Sequence, residues 1–246
     1  MSSNAEELVA EAGKVCRELA ALDFGPPTTH TYNPLVYARA PHEAYLRRFG
    51  AGGEKRVLFL GMNPGPWGMA QTGVPFGEIA AVRDWMGIEE PVGKPDPEHP
   101  KRPIEGFACV KSEVSGRRLW GLFADKFPEP ERFFRDHFVL NYCPLVWMEA
   151  SGKNRTPDKL PAAEIAPVTA ACDRYLKRHL EILRPRFAIG VGGFAEQCLQ
   201  RVSESLPETS RPVVGRVLHP SPASPAANRG WAAAAEKQLH ALGVWE

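Results

Sequence analysis

The chain has no paired cysteines, no long apolar run and almost no net charge, and each absence removes a class of function. Its five cysteines, Cys16, Cys109, Cys143, Cys172 and Cys198, are scattered singly along 246 residues. None belongs to a C-x-x-C pair or has a histidine at zinc-finger spacing, so neither a disulfide framework nor a compact metal site is expected. Spacing leaves open a four-cysteine iron–sulfur site drawn from distant positions, but buried reduced thiols are the simpler reading. No apolar stretch approaches the ~20 residues of a membrane span. The start, Met1-Ser-Ser-Asn-Ala-Glu-Glu-Leu8, lacks the basic and apolar regions of a secretory leader. The expected location is therefore the cytoplasm and nucleoid of a bacterium or the nucleus of a eukaryote, with no membrane partner. A formal charge of +1, from 30 cationic and 29 anionic side chains, excludes a uniformly basic nucleic-acid binder but not a local basic patch. With 43% hydrophobic and 24% charged residues and no boundary signal, one domain over residues 1–246 is expected, as a monomer.

Glycine and proline are plentiful, and they crowd Gly61-Met-Asn-Pro-Gly-Pro-Trp-Gly-Met-Ala-Gln-Thr-Gly-Val-Pro-Phe-Gly-Glu78, directly after the apolar run Arg56–Leu60. Glycine lets main chain approach a ligand closely and proline fixes the turns between, so this loop can hold a shape around a small planar or anionic group. Turns with no further purpose are the competing reading.

In chain order, Ala5–Leu22 predicts an amphipathic helix capped by Ser3 or Asn4, and Gly25–Pro34 an extended connection. Pro41–Phe49 predicts a short helix before the first strand, Arg56–Leu60, whose unbroken apolar character suits a central parallel strand. Pro75–Gly87 predicts a helix and Glu89–Gly106 an irregular loop. Another helix starts near Ser112-Glu-Val-Ser-Gly-Arg-Arg-Leu-Trp120, with Ser112 or Ser115 as cap and Arg117 and Arg118 near its first turn, an arrangement suited to a phosphate. The remaining strands are Phe138–Tyr142, Phe187–Val191 and Val213–Leu218, and the remaining helices Pro161–Leu183, one from Gly193 through Arg201, and Ala232–Leu242. Strands alternating with helices imply a three-layer α/β/α fold around a mostly parallel four-stranded sheet.

In such sheets ligands bind beyond the carboxyl ends of the strands. Asn63, Asn141, Gly190–Gly193 and His219 all lie there. Gly190-Val-Gly-Gly-Phe-Ala195 matches a loose dinucleotide pattern, but it follows the third strand, and the next strand ends in His219 rather than an acidic residue, so a tight strand-to-helix turn explains it better. An asparagine such as Asn141 can meet the N3–H and O4 of uracil at once, whereas cytosine presents the opposite pattern. Phe76 can stack on such a ring, Asn63 can orient a water, and His219 can donate to an oxygen that becomes negative as a base departs.

The loop Gly61–Glu78, Ser112-Glu-Val-Ser-Gly116, Asn141-Tyr-Cys-Pro-Leu145 and His219-Pro-Ser-Pro222 with Asn228-Arg-Gly-Trp231 resemble the single-strand-selective monofunctional uracil-DNA glycosylases, from about Thr31 to the carboxyl terminus. The resemblance implies a uracil-DNA glycosylase-like fold and a repair enzyme that flips uracil, or oxidised relatives such as 5-hydroxymethyluracil, out of DNA and hydrolyses the N-glycosidic bond, with no metal or cofactor. By motif position Asn63 would orient the attacking water and His219 would stabilise charge on uracil O2, helped by the main chain at Met62. Phe76 would stack, Asn141 would read the base edge, and Gly65 would border C5. The DNA contacts would come from Ser112, Ser115 and Arg117 and from Pro220, Ser221, Pro222, Ala223, Ser224, Asn228 and Arg229. Two positions depart from the family: Ala223 stands where vertebrate members carry arginine, leaving Asn228 or Arg229 to fill the space of the flipped base, and Trp67 replaces the more usual phenylalanine. A damaged-DNA binding module without activity is the alternative from another class.

Overall fold

The computed structural model describes residues 3–246. Its amino-terminal half runs α1 (Asn4–Ala20), β1 (Thr28–Tyr32), α2 (Pro34–Tyr37), α3 (Arg39–Gly50), β2 (Val57–Gly61), α4 (Met69–Thr72) and α5 (Val114–Lys126). It continues through α6 (Pro130–Asp136), β3 (His137–Asn141), β4 (Val146–Glu149), β5 (Asn154–Arg155), α7 (Ala162–Leu183), β6 (Phe187–Val191), α8 (Gly193–Glu204), β7 (Val213–Val217), α9 (Pro225–Asn228) and α10 (Trp231–Ala241).

Four strands form the parallel sheet in the order β3-β2-β6-β7. All five residues of β2, β3 and β6 are buried, because helices cover both faces of a parallel sheet and leave no strand position for a solvated side chain. Only β7, at the edge, alternates with exposed positions. The core is continuous from Leu8 of α1 to Trp245. Ser3 caps α1 by accepting from Glu6 N, and Leu8, Val15 and Leu19 are buried on its inner face, which packs on α3 and α7.

The structure corrects the expected elements in three places. The connection Gly25–Pro34 contains β1, which pairs antiparallel with β4 in a second, three-stranded sheet, β1-β4-β5; its polar residues Thr-Thr-His-Thr-Tyr hid it because the partner strand supplies the apolar contacts. The helix expected over Pro75–Gly87 begins only at Ile79 and winds as a π-turn over Ala81–Trp85. Pro75 and Phe76 lie instead in a tight turn, closed by Gly77 N donating to Val74 O (2.8 Å). Finally, α5 starts at Val114 with Glu113 at its capping position and no side-chain cap, so neither Ser112 nor Ser115 caps it.

The register Gly61↔Asn141 and the pairing of β6 with both β2 and β7 end the four strands level with one another. The loops that follow them therefore open on one side of the sheet.

Candidate active site

Close approach builds this site before any chemistry does. A Cβ at Gly61 would stand 2.6 Å from Phe76 Cζ and would also strike Asn141 Oδ1, so the last residue of β2 must be glycine for Phe76 and Asn141 to meet there. Phe76 itself has φ 52, a left-handed conformation that costs a non-glycine residue of order 1–3 kcal/mol and persists only where surroundings impose it. Here Trp120 Nε1 holds Pro75 O (3.2 Å) and Thr72 Oγ1 holds Gly77 O (2.9 Å).

Met62, Asn63, Gly65, Phe76, Asn141 and His219 line one small cavity of ≈ 40 Å³, well below the ~300–1,000 Å³ typical of ligand sites. A larger cleft of ≈ 600 Å³, between Glu54, Arg186 and Val213, lies at the opposite, amino ends of the strands and contains none of these groups.

The polar side chains are oriented. Asn63 Nδ2 donates to Leu145 O at 3.1 Å, which leaves Oδ1 as an acceptor facing the cavity. Asn141 is 5% exposed and its Nδ2 donates to Met69 Sδ at 3.3 Å, so the second N–H and Oδ1 remain for a ligand. His219 Nδ1 accepts from Ser221 N at 3.1 Å. An imidazole nitrogen that accepts is unprotonated, so the neutral ring carries its proton on Nε2. Burial holds the His219 pKa below its ordinary value, which keeps the ring in that neutral, donating form at neutral pH. Gly192, at φ 94, lies with its Cα against the His219 ring; a Cβ there would be 3.2 Å from it.

Glu113 was not singled out from the sequence, although it sits inside Ser112-Glu-Val-Ser-Gly116. Its carboxyl group packs on the cavity loop, where a Cβ at Gly65 would lie 2.7 Å from Oε1 and one at Gly68 would overlap Oε2. Burial, and next the Glu78 carboxylate, push its pKa up to about 7. Only the long-range observation of what packs beneath Gly65 and Gly68 reveals it. Ser115, expected at phosphates, is buried and lines the cavity beside Glu113; Ser112 and Arg117 are exposed.

The segment after His219 is braced. Arg118 Nη1 donates to Pro220 O (2.9 Å) and Ser221 O (3.4 Å), and its Nη2 to Asn228 Oδ1 (2.9 Å). Asn228 Nδ2 donates to Pro222 O at 2.8 Å, Ser221 Oγ accepts from Ala223 N at 3.1 Å, and Ser224 Oγ caps α9 through Ala227 N at 3.4 Å. Both ends of the exposed Asn228 amide are thus engaged in the free protein, its oxygen by Arg118 of α5 and its nitrogen by Pro222 O. Pro222, Ala223 and Arg229 are exposed. In the same loop, Trp67 lies beneath two cations, Lys111 Nζ at 4.1 Å and the Arg102 guanidinium at 5.1 Å from its ring centre, a local pairing of positive charge in a chain of near-neutral net charge. The dinucleotide-like pattern is structural: a Cβ at Gly190 would stand 2.7 Å from Glu196 Cα, so the glycine allows α8 to pack on β6.

The class follows from the parallel sheet and the groups at its carboxyl end: residues 48–241, which contain all four parallel strands and every cavity residue named above, match the sequence model of the uracil DNA glycosylase superfamily. The crystal structure of Pedobacter heparinus SMUG2 superposes with a TM-score of 0.71 over 99% of this chain and 98% of that one, at 18% identity, a likeness of fold. The single-strand selective monofunctional uracil DNA glycosylase of Bos taurus is 49% identical over 98% of this chain and 88% of its own length. That of Mus musculus is 48% identical over 98% and 86%. The chain belongs to the uracil DNA glycosylase superfamily and, within it, to the single-strand selective monofunctional uracil DNA glycosylases. The likeness extends beyond the Thr31 boundary expected from motifs and takes in α1.

Proposed function

We propose that this protein excises uracil from DNA by hydrolysing the N-glycosidic bond and leaves an abasic site for base-excision repair. The observation that carries the reading is the convergence, in one cavity, of an asparagine acceptor, a neutral histidine donor, an asparagine amide and an aromatic ring from four separate segments.

A base inside a duplex cannot reach such a cavity, so the nucleotide must be extruded. The flipped uracil stacks on Phe76 and presents N3–H and O4 to Asn141. Asn63 Oδ1 accepts a hydrogen bond from the attacking water. It is not a base at neutral pH, so the water is positioned rather than deprotonated before the bond breaks. Cleavage then depends on the departing base and the oxocarbenium-like sugar. His219 Nε2–H donates to uracil O2 as negative charge develops there, assisted by the main chain at Met62, and a neutral donor does so without giving up its proton. Loss of one such donor costs ~2.7–4 kcal/mol of barrier. The cavity has no lysine in its lining, so no Schiff base forms and the strand stays intact. Pro222, Ala223 and Arg229 meet the DNA, with Arg229 at a phosphate or in the vacated space, and the Lys111–Arg102 pair attracts the backbone. Oxidised pyrimidines such as 5-hydroxymethyluracil belong to the same substrate class.

The test is release of free base from labelled uracil oligonucleotides, single- and double-stranded, with EDTA present. An alkali-labile site on an unbroken strand is the expected product. Binding to abasic DNA without release of any base would replace this reading with that of a non-catalytic module.

A further inference from the structure

Of Asn63, Asn141 and His219, Asn141 is held least by its own hydrogen bonding. Asn63 donates to a carbonyl oxygen and His219 accepts from an amide. The Asn141 amide, among the described residues, donates only to the Met69 thioether, at 3.3 Å, and sulfur is a weak acceptor. Its aim therefore depends on the main chain that carries it. That main chain is tied to the end of β2, where Tyr142 N donates to Gly61 O and Cys143 N to Met62 O, both at 2.9 Å.

Successive side chains along an extended chain point to opposite faces, so Tyr142 turns from the cavity toward α7 and α8, where it is 2% exposed. Its hydroxyl donates to Asp173 Oδ1 of α7 at 2.7 Å and accepts from Arg201 Nη2 of α8 at 3.2 Å. Arg201 also grips both Asp173 oxygens, Nη2 to Oδ1 at 2.8 Å and Nε to Oδ2 at 3.0 Å, a bidentate pair that fixes geometry more closely than one contact does. The Tyr142 ring meets Phe194 edge-on, 5.8 Å between centres. None of Tyr142, Asp173 and Arg201 lines the cavity, and none has a task in the reaction as derived.

Resting on the glycosylase reading, we propose that Tyr142 is a positioning residue for excision: its hydroxyl, clamped by Asp173 and Arg201, fixes the backbone after β3 so that the Asn141 amide meets the N3–O4 edge of the flipped base. The clamp acts on cleavage and not on the grip of DNA, because an abasic site has no base edge to meet Asn141. Misplacing a reacting or recognising group by ~1 Å can cost ~10²-fold in rate. Asp173 and Arg201 are partly exposed, so their pairing adds little to global stability.

The experiment compares the native protein, Tyr142→Phe and Asp173→Asn in single-turnover release of uracil, in affinity for abasic duplex and in thermal melts. Tyr142→Phe keeps the ring and removes only the hydroxyl, and it should lower the rate by ~10-fold or more with abasic affinity unchanged. Asp173→Asn should act in the same direction, which keeps the inference testable should the first variant fail to fold. Each change is then made on an Asn141→Ala background, where it should cost less than ~2-fold, because a residue acting through Asn141 has nothing left to position. Should Asn141→Ala release too little base to measure, the single-variant rates and affinities decide alone. A native rate in folded single variants, abasic binding weakened in step with the rate, or an equal loss on both backgrounds would overturn the assignment while leaving the glycosylase reading intact. Native protein that releases no uracil would overturn that reading and this inference with it.

Discussion

Replacing Glu113 by glutamine should change how the stability of the free protein depends on pH, independently of any substrate. The carboxyl pKa rises from the ordinary glutamate value of 4.5 to about 7 in the folded chain, through burial and then through Glu78. Between those values the folded state keeps a proton that the unfolded state has released. Its contribution is therefore fully present below pH 4.5 and is lost as pH rises through about 7. At ~1.36 kcal/mol per pH unit of displacement, the loss amounts to at most about 3 kcal/mol by pH 8, less the screening of a half-buried carboxyl. Glutamine keeps the shape and hydrogen-bonding atoms without the charge, so Glu113→Gln should gain on the native protein by about that amount between pH 4.5 and 8. Urea unfolding at several pH values measures it. The difference between the two proteins is the quantity to read, because His42, His137 and His179, each held at about 4 by burial, impose an opposing trend on both. A stability difference that stays flat across this range would show that the carboxyl is solvated or paired, and the reasoning would fail.

Those three histidines predict the acid behaviour of the whole protein: buried neutral in the folded state, they withdraw stability as pH falls from about 6.5 through about 4. A native-state melting temperature that rose on acidification over this interval would contradict their burial. Single-turnover excision by His219→Ala and by Asn63→Ala should fall, the former by ~10²–10³-fold for a lost transition-state donor, with unchanged circular dichroism; undiminished rates would remove the assigned roles. Arg118→Ala should free the Pro220–Asn228 segment, seen as faster hydrogen exchange at the Ser221 and Ala223 amides and weaker binding of abasic duplex, and unchanged exchange would show that the three Arg118 contacts do not hold it. Gly190→Ala should destabilise by ~1–3 kcal/mol because its Cβ meets the main chain of α8, and a neutral effect in urea unfolding would refute the packing reading of that motif.

Much of the site could be read from the chain because the residues involved follow strand ends, and a parallel sheet gathers its carboxyl-terminal loops whatever their separation in sequence. Asn63, Asn141 and His219 therefore came together as expected, 156 residues apart at the extremes. Periodicity failed where local and tertiary preferences diverged. The stripe Ile79, Val82, Met86 reads as a helix, yet the chain enters it through the left-handed turn at Phe76, held by the nearby Thr72 and by Trp120 from α5. The strand β1 was hidden for the same reason, since a two-sided polar segment takes its burial from the partner it pairs with.

The amino-acid sequence by itself determined the parallel sheet, the loop that follows β2 and the polar and aromatic residues at the strand ends, because each is a property of local composition and order. Only the tertiary structure decided which atoms those groups offer. Leu145 O turns the Asn63 oxygen toward the cavity, Ser221 N sets the tautomer of His219, and Glu113 moves from a helix end into the cavity wall through its contact with Gly65 and Gly68. Orientation and protonation depend on neighbours distant in the chain and on the exclusion of water, and neither exists until the chain has folded.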